Sequence, residues 1–115
     1  MLARFIQAGD AIDYTPTADV AAGDVVVLYD LVGVARSDIQ ANTLGSLAIR
    51  GVFEFPKVTG DSAFVLIGMT VYWDAASRLA TPWSDGGANK LLGKAVSTAG
   101  ENDLTVLVLL QQLMT

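Results

Sequence analysis

The chain has 115 residues, of which 52% are apolar and only 17% charged, with a net charge of −5 and a mean hydropathy of +0.47. It contains neither cysteine nor histidine, which excludes disulfides and thiolate-metal sites and removes the commonest general base and metal ligand. The acidic balance argues against nucleic acid, which asks for a basic face, and no apolar run approaches the ~18 residues of a membrane span.

A chain this long predicts one domain able to bury roughly 65% of its unfolded surface. So little charge on so small a body means either an unusually complete core or apolar surface that meets a partner. Residues 1–8 read as an arm and residues 9–115 as a single β domain. In the arm Leu2, Phe5 and Ile6 are apolar and Arg4 is the only charged side chain, so it is either an edge strand or a segment that orders on a partner. It lacks the long apolar region of a signal peptide, and the expected setting is a cytoplasm or something assembled there.

Gly9-Asp10 is a turn signal, and Ala11–Thr15 alternates as a strand stopped by Pro16. After a turn at Ala21–Asp24, the run Val25–Tyr29 reads as a strand buried on both faces. Leu31–Ala35 follows, and its internal Gly33 marks a bulge or a close backbone approach. Ser37–Thr43 is a loop, and Leu44–Arg50 rises again with Leu47 and Ile49 on one face.

The stretch Arg50–Lys57 alternates strictly. Val52, Glu54 and Pro56 fall on one face, Gly51, Phe53 and Phe55 on the other. Thr70–Asp74 does the same, with Val71 and Trp73 together. These two are expected to be neighbouring strands at the middle of the domain, with Trp73 in the core. Between them Thr59–Ser62 is a loop, and Ala63–Ile67 is compatible with a strand or a single helical turn. Arg78–Thr81 reads as the return limb of a hairpin turning at Ala75–Ser77. Pro82–Asn89 is the most loop-like stretch, and Trp83 within it is either a contact anchor or packed locally. Leu91–Ser97 and Leu104–Leu110 complete the strands, and Gln111–Thr115 is a tail that extends the last one. Turn signals every 8–12 residues predict an all-β fold, a small barrel or compact β-sandwich of short, mostly antiparallel strands with little helix. Gly23-Asp24 before Val25–Asp30 faintly echoes Gly68-Met69 before Thr70–Asp74, too briefly to define a repeat.

Residues with chemistry are sparse. Gly87–Lys94 imitates a phosphate loop, but five residues separate its glycines and Ala95 follows Lys94, so the hydroxyl that would hold magnesium is missing. The carboxylates are scattered through turns, where aspartate bonds nearby amides, and no loop carries the dense oxygen set of a calcium site. No catalytic, cofactor-binding or metal-binding residue is assigned.

Taken in order, Phe5–Asp10, Ala22–Val26, Leu31–Ala35, Gly51–Lys57, Val71–Asp74 and Leu92–Ala95 resemble the motifs of a family of small phage proteins of the DUF2190 type, similar to capsid decoration (cement) proteins of tailed phages. The resemblance spans nearly the whole chain, although the loop Pro82–Gly87 matches no pattern in it. It implies a non-enzymatic protein on the outer capsid surface of the virion, assembled in the bacterial host cytoplasm. The implied partners are the major capsid protein and further copies of the chain, most often as a trimer; neither nucleic acid, membrane nor cofactor is expected. Leu2, Arg4, Phe5, Ile6 and Trp83 are the expected contacts to capsid or subunit. The alternatives are a virion-displayed carbohydrate-binding module, with Trp83 stacking a sugar beside Asp85, and a tail or neck component.

Overall fold

A computed structural model describes residues 2–111. Its elements are β1 (Ala11–Tyr14), β2 (Val25–Leu28), β3 (Leu31–Ala35), β4 (Gly45–Ala48), β5 (Gly51–Pro56), β6 (Thr70–Asp74), β7 (Leu79–Thr81), β8 (Lys90–Ala95) and β9 (Thr105–Leu110), with one short 3-10 turn at Asp85–Gly87. The all-β class follows from the period-two stretches, as expected. The strands form two antiparallel sheets, of order β1-β4-β3-β2 and β5-β9-β8-β6-β7. Neither sheet closes into a barrel. In the larger one a lone parallel bridge from Lys57 to Ala80 brings the end of β5 against β7.

The main core lies between the sheets. Val32 and Val34 of β3 meet Phe55, Trp73, Leu92, Val106 and Val108 of the larger sheet. The rings of Phe53 and Phe55 stand edge to face with centroids 6.4 Å apart, and Phe55 tilts against Trp73 at 6.0 Å. The other face of the smaller sheet closes a second cluster around Ala35, Ile39 and Leu47.

Several expectations are met in detail. Phe55 is buried while Val52, Glu54 and Pro56 face outward, and Val71 and Trp73 are buried together. Others are corrected. β5 and β6 are not neighbours, because β9 and β8 lie between them and β5 is an edge strand. The reason is β9, whose Val106, Val108 and Leu110 alternate inward and whose register matches β5 along all six residues. β2 is likewise an edge strand and only half-buried; β3, flanked by β2 and β4, is the strand buried on both faces. Ala63–Ile67 is neither strand nor helix, but a turn pinned by a single bridge from Val65 to Ala99. The arm forms no strand over residues 2–8. β9 ends at Leu110, and the rest of the tail expected to extend it, residues 112–115, lies outside the described residues.

The faint echo in the sequence is part of a structural repeat. β1-β4-β3-β2 and β5-β9-β8-β6 have the same order and connectivity. Val20 and Ile39 exchange two backbone hydrogen bonds at 2.8 Å; Val65 and Ala99 exchange the same two at 2.9 and 2.7 Å. Gly23 N donates to Ala35 O as Gly68 N does to Ala95 O, and Ala35 N donates to Asp24 O as Ala95 N does to Met69 O. Gly23 and Gly68 share a φ of 91°, a conformation open to glycine at little cost. Side chains act in parallel too: Ala22 N donates to Asp38 Oδ1, and Ile67 N to Thr98 Oγ1. The halves differ at one point. β2 returns to β3 through the two residues Tyr29 and Asp30, whereas β6 reaches β8 through Ala75–Asn89, an insertion that carries β7 and Trp83.

Candidate contact surfaces

Exposed apolar side chains are spread over the described residues, Tyr29, Leu44, Val52 and Leu104 among them, and three sets of them bear on contact. The first is the arm, where Leu2, Phe5 and Ile6 are almost wholly exposed and Gln7 Nε2 reaches back to the Ala11 carbonyl at 3.4 Å. Arg4 is exposed beside them. Four of the five expected contact residues thus sit together.

The second is the insertion. Thr81 Oγ1 accepts from Trp83 N at 3.2 Å, and the Trp83 carbonyl accepts from Asn89 Nδ2 at 2.9 Å. Asn89 N and Gly87 N both donate to Ser84 O. These bonds fix the loop as a tight knot, and the indole on it is 46% exposed. With Asp74, Ser77, Leu79, Thr81, Asp85 and Asn89, Trp83 lines an open depression of about 380 Å³. Asp74 Oδ1 accepts from the amides of Ala76 and Ser77; the Ser77 side chain, followed by its backbone, holds the Asp74 carboxyl below the usual carboxylate range. The structure therefore leaves Trp83 about half exposed on the rim of this depression, with Asp85 on the same rim.

The third place escaped the sequence reading. Phe64, Leu66 and Ile67 project from the turn before β6, 41%, 49% and 66% exposed, while Ala63 and Val65 between and beside them are fully buried. The equivalent turn of the first half carries Ala21 and Ala22 where the second carries Leu66 and Ile67. The available signal was the run Ala63–Met69, apolar throughout except for Gly68 yet lacking a regular period.

Beneath this third surface Lys57 is almost fully buried, 3% exposed. Its Nζ donates to the carbonyls of Val58 and Ala63 at 2.6 and 2.7 Å. Burial pushes its pKa down, opposed by the charges of Asp103 and Glu101. Among the described residues the one ion pair is Lys90–Asp30 at 3.0 Å, and no group of three or more carboxylates is placed to hold a metal ion. No helix of the described residues is long and apolar enough to cross a membrane.

A family model described as phage cement protein matches residues 6–110. The match includes Ile6, the turn Phe64–Ile67 and Trp83, and it leaves Leu2, Arg4 and Phe5 outside. No match was found among curated proteins or among solved structures.

Proposed function

Because the chain belongs to the phage cement protein family, we propose that it binds the outer surface of an assembled phage head and stabilises it without catalysing a reaction. The observation that carries this reading is the set of apolar side chains held outside a well-filled core, on the arm, the Phe64–Ile67 turn and the Trp83 loop. Neighbouring apolar side chains held in solvent on a small domain, as at Leu66 and Ile67, are candidates for an interaction site. The partner is the major capsid protein, joined by further copies of this chain around a symmetry axis of the lattice, as a trimer. Leu2, Arg4, Phe5, Ile6 and Trp83 are proposed contacts, and Phe64, Leu66 and Ile67 are added to them. The protein resides on the virion and assembles in the bacterial host cytoplasm.

The mechanism is mass action. A ligand that binds the assembled shell and not its separated parts shifts the equilibrium toward the shell. Apolar burial at about 25 cal/mol per Å² drives binding against the cost of association, and repetition over the lattice multiplies a modest contact. The test is co-sedimentation with heads stripped of this protein, before and after head expansion. Saturable binding to expanded heads, at a fixed ratio to the major capsid protein, is expected. Absence of binding to both forms overturns the reading.

A second reading is favoured by the Trp83 depression, where an exposed indole stands beside Asp85 and Asp74, a combination suited to stacking and hydrogen-bonding a saccharide. Titration with oligosaccharides, followed by tryptophan fluorescence in wild type and Trp83→Phe, decides it: a saturable change in wild type alone supports a sugar site.

A further inference from the structure

The two halves of the molecule treat one strand edge differently. In the second half the outer edge of β6 is covered by β7, with Tyr72 paired to Thr81 and Asp74 to Leu79. The first half has no counterpart of β7, and β2 ends its sheet. The bond from Ala35 N to Asp24 O and the register Val25↔Val34 to Leu28↔Leu31 fix which groups point outward. Hydrogen-bonded pairs alternate with non-bonded ones along an antiparallel ladder. Asp24–Ala35 is bonded, so Val25 and Val27 turn their N–H and C=O groups away from β3. Val27 is the counterpart of Tyr72, whose outward groups meet β7. Natural edges are blunted by charge, proline or a bulge, and Val25-Val26-Val27-Leu28 has none of these.

The arm has the complementary deficit: a length of chain outside both sheets, with exposed Leu2, Phe5 and Ile6 and no strand partner over residues 2–8. It leaves from β1, at the far edge of the same sheet. Residues 2–8 reach ~23 Å at about 3.3 Å per residue, and the four strand spacings from β1 to the position beyond β2 take up ~19 Å of that. About one residue would remain, too few to line its own β2. A second copy has no such limit. Charge agrees at one end, since Arg4 is basic and Asp24 precedes β2, while Asp30 at the other end already pairs with Lys90.

We propose that the free edge of β2, at Val25 and Val27, receives the N-terminal arm of a second copy as an added strand. The contact is head-to-tail, arm to edge, and such contacts close into rings when the rotation allows. It stands independently of head binding.

The test uses two variants of the full chain and sedimentation mass. One lacks residues 2–8. The other is Val27→Pro, which removes an N–H that points outward and leaves the bonds to β3 in place. Wild type is expected as an oligomer and each variant alone as a single chain. Mixed, the arm of Val27→Pro docks on the intact β2 of the deletion variant, giving a dimer of one copy of each that cannot grow. Wild type sedimenting as a single chain, a deletion variant that keeps the wild-type mass, or a mixture of folded variants without the dimer overturns the proposal. If Val27→Pro does not fold, amide exchange decides instead. The Val25 and Val27 amides exchange at least ~10-fold slower in wild type than in the deletion variant, and equal rates overturn it.

Discussion

The Nζ of Lys57 donates to the carbonyl oxygen of Ala63 at 2.7 Å, six residues along the chain, and the same ammonium holds the carbonyl of Val58. A buried charge without a carboxylate in contact is costly, and here it serves as the clasp of the Val58–Ala63 loop. Lys57→Met removes the charge and leaves two carbonyls without their donor, and the expected loss is about 1–3 kcal/mol at neutral pH. The sign of the pH dependence follows from the lowered pKa. The unfolded chain holds its proton up to the ordinary value of 10.5 and the folded chain releases it earlier. Between the two the unfolded state binds more protons, so stability rises with pH across that interval. Denaturant melts of both proteins as pH rises toward 10.5 should show wild type gaining on Lys57→Met. A constant difference would mean the lysine does not titrate on folding.

Gly33 and Gly93 occupy equivalent positions in the two halves, and both allow a close backbone approach. A Cβ at Gly33 would stand 2.9 Å from Leu47 Cβ, which yields only with a small shift of β4. One at Gly93 would collide with the backbone carbonyl oxygen of Leu109, which cannot shift without moving β9. Overpacking costs about 1–3 kcal/mol where neighbours yield and more where they do not. Gly33→Ala should fall in that range and Gly93→Ala should exceed about 3 kcal/mol, read from urea midpoints. Equal costs would mean β9 yields as readily as β4.

These glycines show how far the sequence could be read. Period-two alternation revealed the faces of β5 and β6 and the burial of Trp73, because side-chain direction in a strand is a local property. Strand partners are not local, and the pairing of β5 with β9 spans some fifty residues without leaving a mark on either stretch. The repeat was almost invisible for another reason. Leu31, Gly33, Ala35, Ser37, Asn42 and Leu44 recur as Leu91, Gly93, Ala95, Ser97, Asn102 and Leu104, but then the pairing slips. Ala35 stands opposite Leu47, whereas Ala95 stands opposite Val108. One residue of slip turns every side chain over, so Leu47 is buried and its counterpart Leu107 faces outward. The arm left an edge strand and a partner-ordered segment both open, because its few apolar residues carry no regular period, while the Phe64–Ile67 turn is defined only once Ala63 and Val65 are seen to point inward.

The two tryptophans should separate cleanly. Trp73 is 4% exposed and Trp83 is 46% exposed. Trp83→Phe leaves one shielded indole, so emission should shift to shorter wavelength and resist acrylamide, with stability changed by less than about 1 kcal/mol. Trp73→Ala empties the space beside Phe55 and should cost about 3–5 kcal/mol. A Trp83→Phe protein still quenched as readily as wild type would mean the core around Trp73 is open to solvent.

Removing the exposed ion pair should do little. Asp30 is 97% exposed at its side chain and Lys90 a third exposed, and pairs held in water are worth about 0–1 kcal/mol. Asp30→Asn should leave the melting temperature within a degree or two at moderate salt. A larger drop would make the Tyr29–Asp30 hairpin tip a structural joint between the halves.

The Phe64–Ile67 turn offers the sharpest separation of binding from folding. Its three outward side chains carry apolar surface that no neighbour in the chain covers fully, while Ala63 and Val65 hold the backbone in place from below. Phe64→Ser, Leu66→Ser and Ile67→Ser together should therefore cost little stability, about 1 kcal/mol in sum, since exposed positions contribute a few tenths each. A contact to the head loses its apolar centre, and such centres dominate interface energetics, so affinity for expanded heads should fall at least ~10-fold. Thermal melts and co-sedimentation on the same preparations read the two effects side by side. Intact binding with intact folding would move the capsid contact to the arm and Trp83, whereas lost folding would show that the turn is part of the core after all.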